Sequence, residues 1–201
     1  MLGLPKTTEL SKQLPKNAIY AKFQMNTAEK AKIDADISRI TIVNEVSADK
    51  VHIAAGEQVK FFFVLLVALK KKDFNDKTIT TISKLIPQNM LLVLECGDEA
   101  KLATYHTKLM QTEWKRKEEL SVELKGLNLD AVWENIIIQI GGITVDQGNT
   151  LDEQIAVDEQ RMRIQKELDR LTKQAKNEKQ PKKKFELVQK MNRLKKELEE
   201  I

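Results

Sequence analysis

A carboxylate and an ammonium two residues apart, in Glu99-Ala100-Lys101, form the one pattern in this chain that could break bonds. On a strand, residues i and i+2 share a face. Beside a magnesium ion such a pair would serve phosphodiester cleavage of the restriction-nuclease kind. That chemistry needs a further acid near the start of the preceding strand, and Asp73 or Asp76 supplies it only awkwardly because a helix intervenes. Glu99 also reads as part of a polar hairpin turn, where acidic residues serve the turn itself. No catalytic residue is assigned, and the nuclease remains an alternative.

Lys173, Lys176, Lys179, Lys182, Lys183 and Lys184 crowd around Pro181. Their chemistry would be phosphate neutralisation, with an affinity that falls as salt rises, so these six are the candidate nucleic-acid-binding residues for DNA or RNA. Arg161, Arg163, Arg170 and Arg193 lie further along, while Glu167, Glu178, Glu186, Glu197, Glu199 and Glu200 offset much of the charge. Such mixed flanks are ordinary in coiled coils, and only the tip is locally basic. Phe185 is the one aromatic among these lysines, which argues against base stacking. Contact with a partner protein, contact with nucleic acid, or a solvated spacer are the uses this tip allows.

Other chemistry finds little support. His52 and His106 stand far apart without flanking ligands, so no metal site is expected. The single cysteine, Cys96, excludes an internal disulfide and reads as a small buried residue at a strand end. There is no Gly-x-Ser-x-Gly elbow, no Gly-Lys-Ser/Thr loop and no Gly-x-Gly-x-x-Gly. Gly141-Gly142 ends a helix, the reverse of a phosphate-binding loop. No cofactor is expected.

The positioning elements follow from periodicity. Leu4-Pro5-Lys6 and Leu14-Pro15-Lys16 make the start an extended arm with short turns. Asn26 and Glu29 form a capping pair that opens a helix over residues 27–39. Residues 40–46 alternate as a strand, with Ile40, Ile42 and Val46 on one face. Residues 59–69 are nearly all apolar, as a strand covered on both faces must be. Asn75 or Asp76 opens a short helix to Leu85 with Ile79, Ile82 and Leu85 inward, stopped by Pro87. Residues 90–95 and 101–106 form a hairpin across Cys96-Gly97-Asp98-Glu99. Leu120, Val122 and Leu124 predict a further strand. Asn128 caps the clearest helix, whose Leu129, Val132, Trp133, Ile136, Ile137 and Ile140 make one apolar face.

The fold class is therefore mixed α/β: a sheet of about five strands with packed helices over residues 1–142, a linker over 143–149, and a C-terminal antiparallel helical hairpin over 150–201. In that hairpin Leu187, Met191, Leu194, Leu198 and Ile201 step by four and three, the spacing of a coiled-coil seam. Val157, Ile164, Leu168, Leu171 and Ala175 give the facing seam, interrupted by Arg161. A single long coiled coil kinked at Pro181 is the alternative arrangement. The 201 residues are 41% hydrophobic and 32% charged, with a net charge of +4, which suits a globular protein. Charged residues interrupt the start, and the apolar run Phe61–Leu69 is about half a bilayer span. A cytoplasmic protein without membrane contact is expected.

Several phrases together resemble an uncharacterised bacterial domain-of-unknown-function family (number 4391): Leu14-Pro15-Lys16, Ile86-Pro87 before a buried strand, Tyr105-His106, Gly126-Leu127-Asn128-Leu129-Asp130, and the tail phrase from Glu178 to Leu187. His106 departs from a lysine expected after the tyrosine. The resemblance carries over no catalytic residue. It implies a genomic setting beside helicases and DNA adenine methyltransferases of restriction-modification or phage-defence clusters. The expected function is thus a non-catalytic accessory or adaptor subunit of a DNA-acting assembly, with a helicase or DNA methyltransferase as partner and the hairpin as contact element. Self-association through the tail is a further alternative.

Overall fold

The computed structural model of the chain describes residues 2–201 and divides into two compact units, one ending at Ile143 and one from Thr144 to Ile201. In the first unit the elements run β1 (Glu9–Leu14), α1 (Lys16–Lys22), α2 (Thr27–Asp36), β2 (Ile37–Ser47), α3 (Ala48–Val51), β3 (Phe61–Leu69), α4 (Asp76–Leu85), β4 (Met90–Cys96), β5 (Glu99–Tyr105), β6 (Leu109–Gln111), β7 (Lys115–Arg116) and α5 (Leu129–Gly141). The strands make one sheet in the order β1-β2-β3-β4-β5-β6, with β7 also pairing β5. Among the described residues only the strands β3 and β4 pair in parallel, because α4 carries the chain back between them.

β3 is the centre of this unit. Phe63, Leu65, Val67 and Leu69 face a core completed by Ile19 and Tyr20 of α1, Ile33 of α2, and Ile79 and Ile82 of α4. Phe62 points the other way and meets Trp133 of α5, with ring centroids 5.1 Å apart. A strand covered on both faces has no room for polar side chains, and β3 carries none. Its neighbour β2 shows how a half-polar strand adapts. Ile42 pairs Leu65, but Asn44 pairs Val64, with a register shift between them. Partners in register share a face, so this bulge sends Asn44 and Val46 to the side opposite Ile40 and Ile42. The expectation that Ile40, Ile42 and Val46 share one face is corrected accordingly. Buried Asn44 is satisfied there by donating to Thr8 Oγ1 at 2.8 Å.

Four further expectations change in detail. The sheet has seven strands rather than about five. Residues 120–124 form no strand: the free edge of β5 is already taken by β6 at Ala103–Tyr105 and by β7 at Glu99–Ala100. Leu120 and Val122 instead bury their side chains from an irregular segment. The N-terminal arm is an edge strand followed by a helix, since Pro15 holds extended geometry and α1 begins at the next residue. The helix opened by Asn26 keeps its capping box but ends at Asp36, where β2 begins.

The phrase Gly126-Leu127-Asn128-Leu129-Asp130 turns out to be structural. Asn128 caps α5 by accepting from the Ala131 N–H at 2.9 Å. At Gly126 (φ +154°) an added Cβ would lie 2.6 Å from the Val132 nitrogen. Asp130 reaches across to residues 57–59, accepting from the N–H groups of Glu57 at 2.6 Å, Gln58 at 3.2 Å and Val59 at 2.7 Å. Those bonds, the one from Val59 foremost, hold its carboxyl below the usual carboxylate range. The segment that delivers the chain into β3 is thereby fixed to the start of α5.

In the second unit α6 (Leu151–Asn177) opens on a capping box of Thr150 and Glu153, and α7 (Pro181–Glu200) opens on proline at its first position. Pro181 therefore starts a helix rather than kinking one, as its missing N–H allows. The helices run antiparallel, since Gln160 meets Glu197 and Arg161 donates to the Ile201 carbonyl at 2.8 Å. Arg161, the break in the seam, is thus the cation at the C-terminal end of α7, where the helix dipole favours it.

Asp130→Ala is expected to release residues 57–59, raising amide exchange there by about tenfold or more while β4 stays protected. A carboxyl with a lowered folded pKa contributes above its ordinary value near 4 and loses that contribution as pH falls through the folded value. The same amides in the unsubstituted protein should therefore open on acidification. Protection that ignores both changes would remove the clamp from this account.

Candidate nucleic-acid interface

The six candidate lysines meet at the hairpin tip, but they do not form one face. Lys173 and Lys176 occupy the last turns of α6, Lys179 the connection, and Lys182, Lys183 and Lys184 the first turn of α7. Successive helix residues point about 100° apart, so the last three spread around the α7 axis. Only an approach onto the end of the hairpin can use them together. Between the helices a groove of about 610 Å³ brings Lys173 and Lys183 together with Lys190, and admits Glu178 and Glu186. Lys190 was not among the expected residues. Its signal is the seven-residue spacing from Lys183, which returns it to the same side. Lys176, Lys179, Lys182 and Lys184 do not line that groove.

Helix electrostatics separates the two halves of the tip. The C-terminal end of α6 carries partial negative charge, which its lysines complement. The start of α7 carries partial positive charge, yet its first turn holds three lysines and no acidic residue. Gln180 gives no side-chain cap, and the Lys184 N–H is spent on the Gln180 carbonyl at 3.0 Å. Among the described residues none of the six lysines has a carboxylate within ion-pair distance. This end of α7 repels itself, and an anion placed there would relieve the repulsion.

The rival pair behaves differently. Glu99 and Lys101 do share a face of β5, and Glu99 begins the strand opposite Cys96 instead of lying in the turn, which corrects its expected place. Glu99 is ion-paired with Lys72. The Lys101 ammonium lies 4.7 Å from the Phe74 ring centroid and 5.3 Å from that of Trp114, and its burial pulls the pKa below the usual lysine value, against the charges of Asp76 and Glu113. Asp76 accepts from Gln111 at 2.9 Å. Among the described residues no group of three or more His, Cys, Asp or Glu is placed to hold a metal ion. His52 ends α3 in left-handed geometry, and His106 follows the end of β5. Cys96 is half-buried against the core rather than fully enclosed. Among the described residues no helix is long and apolar enough to cross a membrane.

Replacing Lys182, Lys183 and Lys184 together by glutamate should stabilise α7, each change contributing about 0.3–1 kcal/mol at low ionic strength through the helix dipole. Circular dichroism would show a higher melting temperature for the variant, with the gain shrinking as salt is added. A lower melting temperature at every salt concentration would contradict the electrostatic reading of the tip.

Comparison with known proteins gives one finding. No curated protein and no solved structure matches the chain. A family model described as "Domain of unknown function (DUF4391)" matches residues 2–198. That match spans nearly the whole chain and both structural units, and the protein belongs to this family.

Proposed function

We propose that this protein is a non-catalytic, cytoplasmic accessory subunit of a DNA-acting assembly of the restriction-modification or phage-defence type, with the helical hairpin as its contact element. The observation that carries the reading is the self-repelling end of α7. Three consecutive lysines at a helix N-terminus cost helix stability, and an external polyanion offsets that cost. Backbone phosphates fit, since they are read by charge without base stacking, and Phe185 is the only ring nearby. The resemblance of the tail phrase supplies the setting: a helicase or DNA methyltransferase subunit would be docked by the hairpin flanks while the tip reaches DNA.

Fluorescence anisotropy of a short DNA duplex with the full chain, across salt concentrations, tests the tip. Wild-type binding should weaken linearly in log salt, with a slope of about −0.9 for each phosphate contacted. Lys182→Glu, Lys183→Glu and Lys184→Glu together should cost tenfold or more, as expected for reversing several phosphate contacts, and flatten that slope. Equal binding by wild type and variant, or no wild-type binding at low salt, would defeat the nucleic-acid part. Partner docking is tested by co-purification with a candidate helicase or DNA methyltransferase subunit, expected to vanish when residues 150–201 are deleted and to survive Glu99→Ala.

A further inference from the structure

α7 is partnered on one side only. Its seam residues Leu187, Met191, Leu194 and Leu198 are half-buried, and no residue of the helix is fully buried. The facing Ile164, Leu168, Leu171 and Ala175 of α6 are buried. Beside the seam, Val188 is 39% exposed and Phe185 63% exposed. The stripe that borders the seam and shares Met191 with it reads Lys184, Val188, Met191, Lys195, Glu199 at spacings of four, three, four and four, one continuous side of a helix.

The charges on this helix are polarised, and in the unfavourable sense at both ends. Its first turn has no acidic residue and its last turn no basic one, whereas Lys182, Lys183 and Lys184 stand at the start and Glu197, Glu199 and Glu200 at the finish. Each set opposes the helix's own dipole. A surface basic at one end and acidic at the other is self-complementary under a two-fold axis across its middle.

We infer that the open side of α7 pairs antiparallel with α7 of a second copy of this chain, about a two-fold axis between Met191 and Asn192. In that register Lys184 of each copy meets Glu199 of the other. Val188 lies against the aliphatic stem of the opposite Lys195, and the two Met191 side chains meet at the axis, where an adaptable thioether suits a symmetric contact. The charges that penalise each helix alone then neutralise one another. The inference rests on the hairpin being a contact element, but not on nucleic acid. It also sets the two uses of the tip in competition, because Lys184 in the pair is engaged.

Sedimentation velocity of the full chain over a range of protein concentrations tests the pairing. Wild type should pass from one chain to two as concentration rises. Lys184→Glu alone, and Glu199→Lys alone, should each weaken association about tenfold, because every change acts twice across the two-fold and turns attraction into repulsion. The chain carrying both changes should associate as wild type does. Both substitutions move charge in the direction the helix dipole favours, so α7 remains folded in every variant. Glu199→Lys leaves all six candidate lysines in place, so its binding to the short duplex should be retained while self-association weakens about tenfold. That separates failure of the pairing from failure of the DNA reading. A chain that stays single at all concentrations, or a doubly changed chain no better associated than the single ones, would overturn the pairing.

Discussion

The first unit is governed by one constraint: β3 must be covered on both faces. Nine consecutive residues, Phe61–Leu69, carry no polar side chain, so helices are required on either side of the sheet. α1, α2 and α4 supply one cover and α5 the other. β2 borders β3 with a polar asparagine, and the bulge between Ile42 and Asn44 lets it follow without leaving that group unsatisfied. Asp130 then ties the segment entering β3 to the first turn of α5, and Gly56, packed against it, has no room for a side chain: a Cβ there would lie 2.2 Å from the Asp130 carboxylate. Burying this one strand accounts for most of the conspicuous residues in the unit.

The second unit obeys a different rule. In the first, Asn44 and Asp130 are satisfied where they stand, by Thr8 and by the N–H groups of residues 57–59. The end of α7 is the opposite: its lysines oppose the local backbone field and have no ion-pair partner among the described residues. A fold does not need that arrangement, since acidic residues there would serve the helix better. The placement makes sense as a surface held for something outside the hairpin, a polyanion or the acidic end of a second α7. Glu99 and Lys101 show the contrast, because their charges are already engaged by Lys72 and by aromatic rings.

What could be read from the chain was local. The Asn26–Glu29 capping box, the continuous run of β3 and the apolar face of α5 are set by neighbours within a few residues, and they stand where periodicity places them. The missed features depend on distant partners. β6 and β7 are short strands that exist because β5 offers an edge, and the strand expected at 120–124 loses that edge to them. The bulge in β2 is invisible to alternation, since buried and half-buried residues still alternate through it. At the tip, the cluster of lysines was legible, but its division was not. Which lysines meet across the groove, and why Arg161 interrupts the seam, follow from the register of two helices on either side of Pro181.

Thermal unfolding of the hairpin, followed by circular dichroism with and without a short DNA duplex, tests the central claim most directly. Anything that binds the folded hairpin alone must raise its melting temperature. The account predicts a rise for the unsubstituted protein that fades with salt, and none when Lys182, Lys183 and Lys184 are glutamate. The absence of a shift in the unsubstituted protein, or the same shift in both, would contradict it.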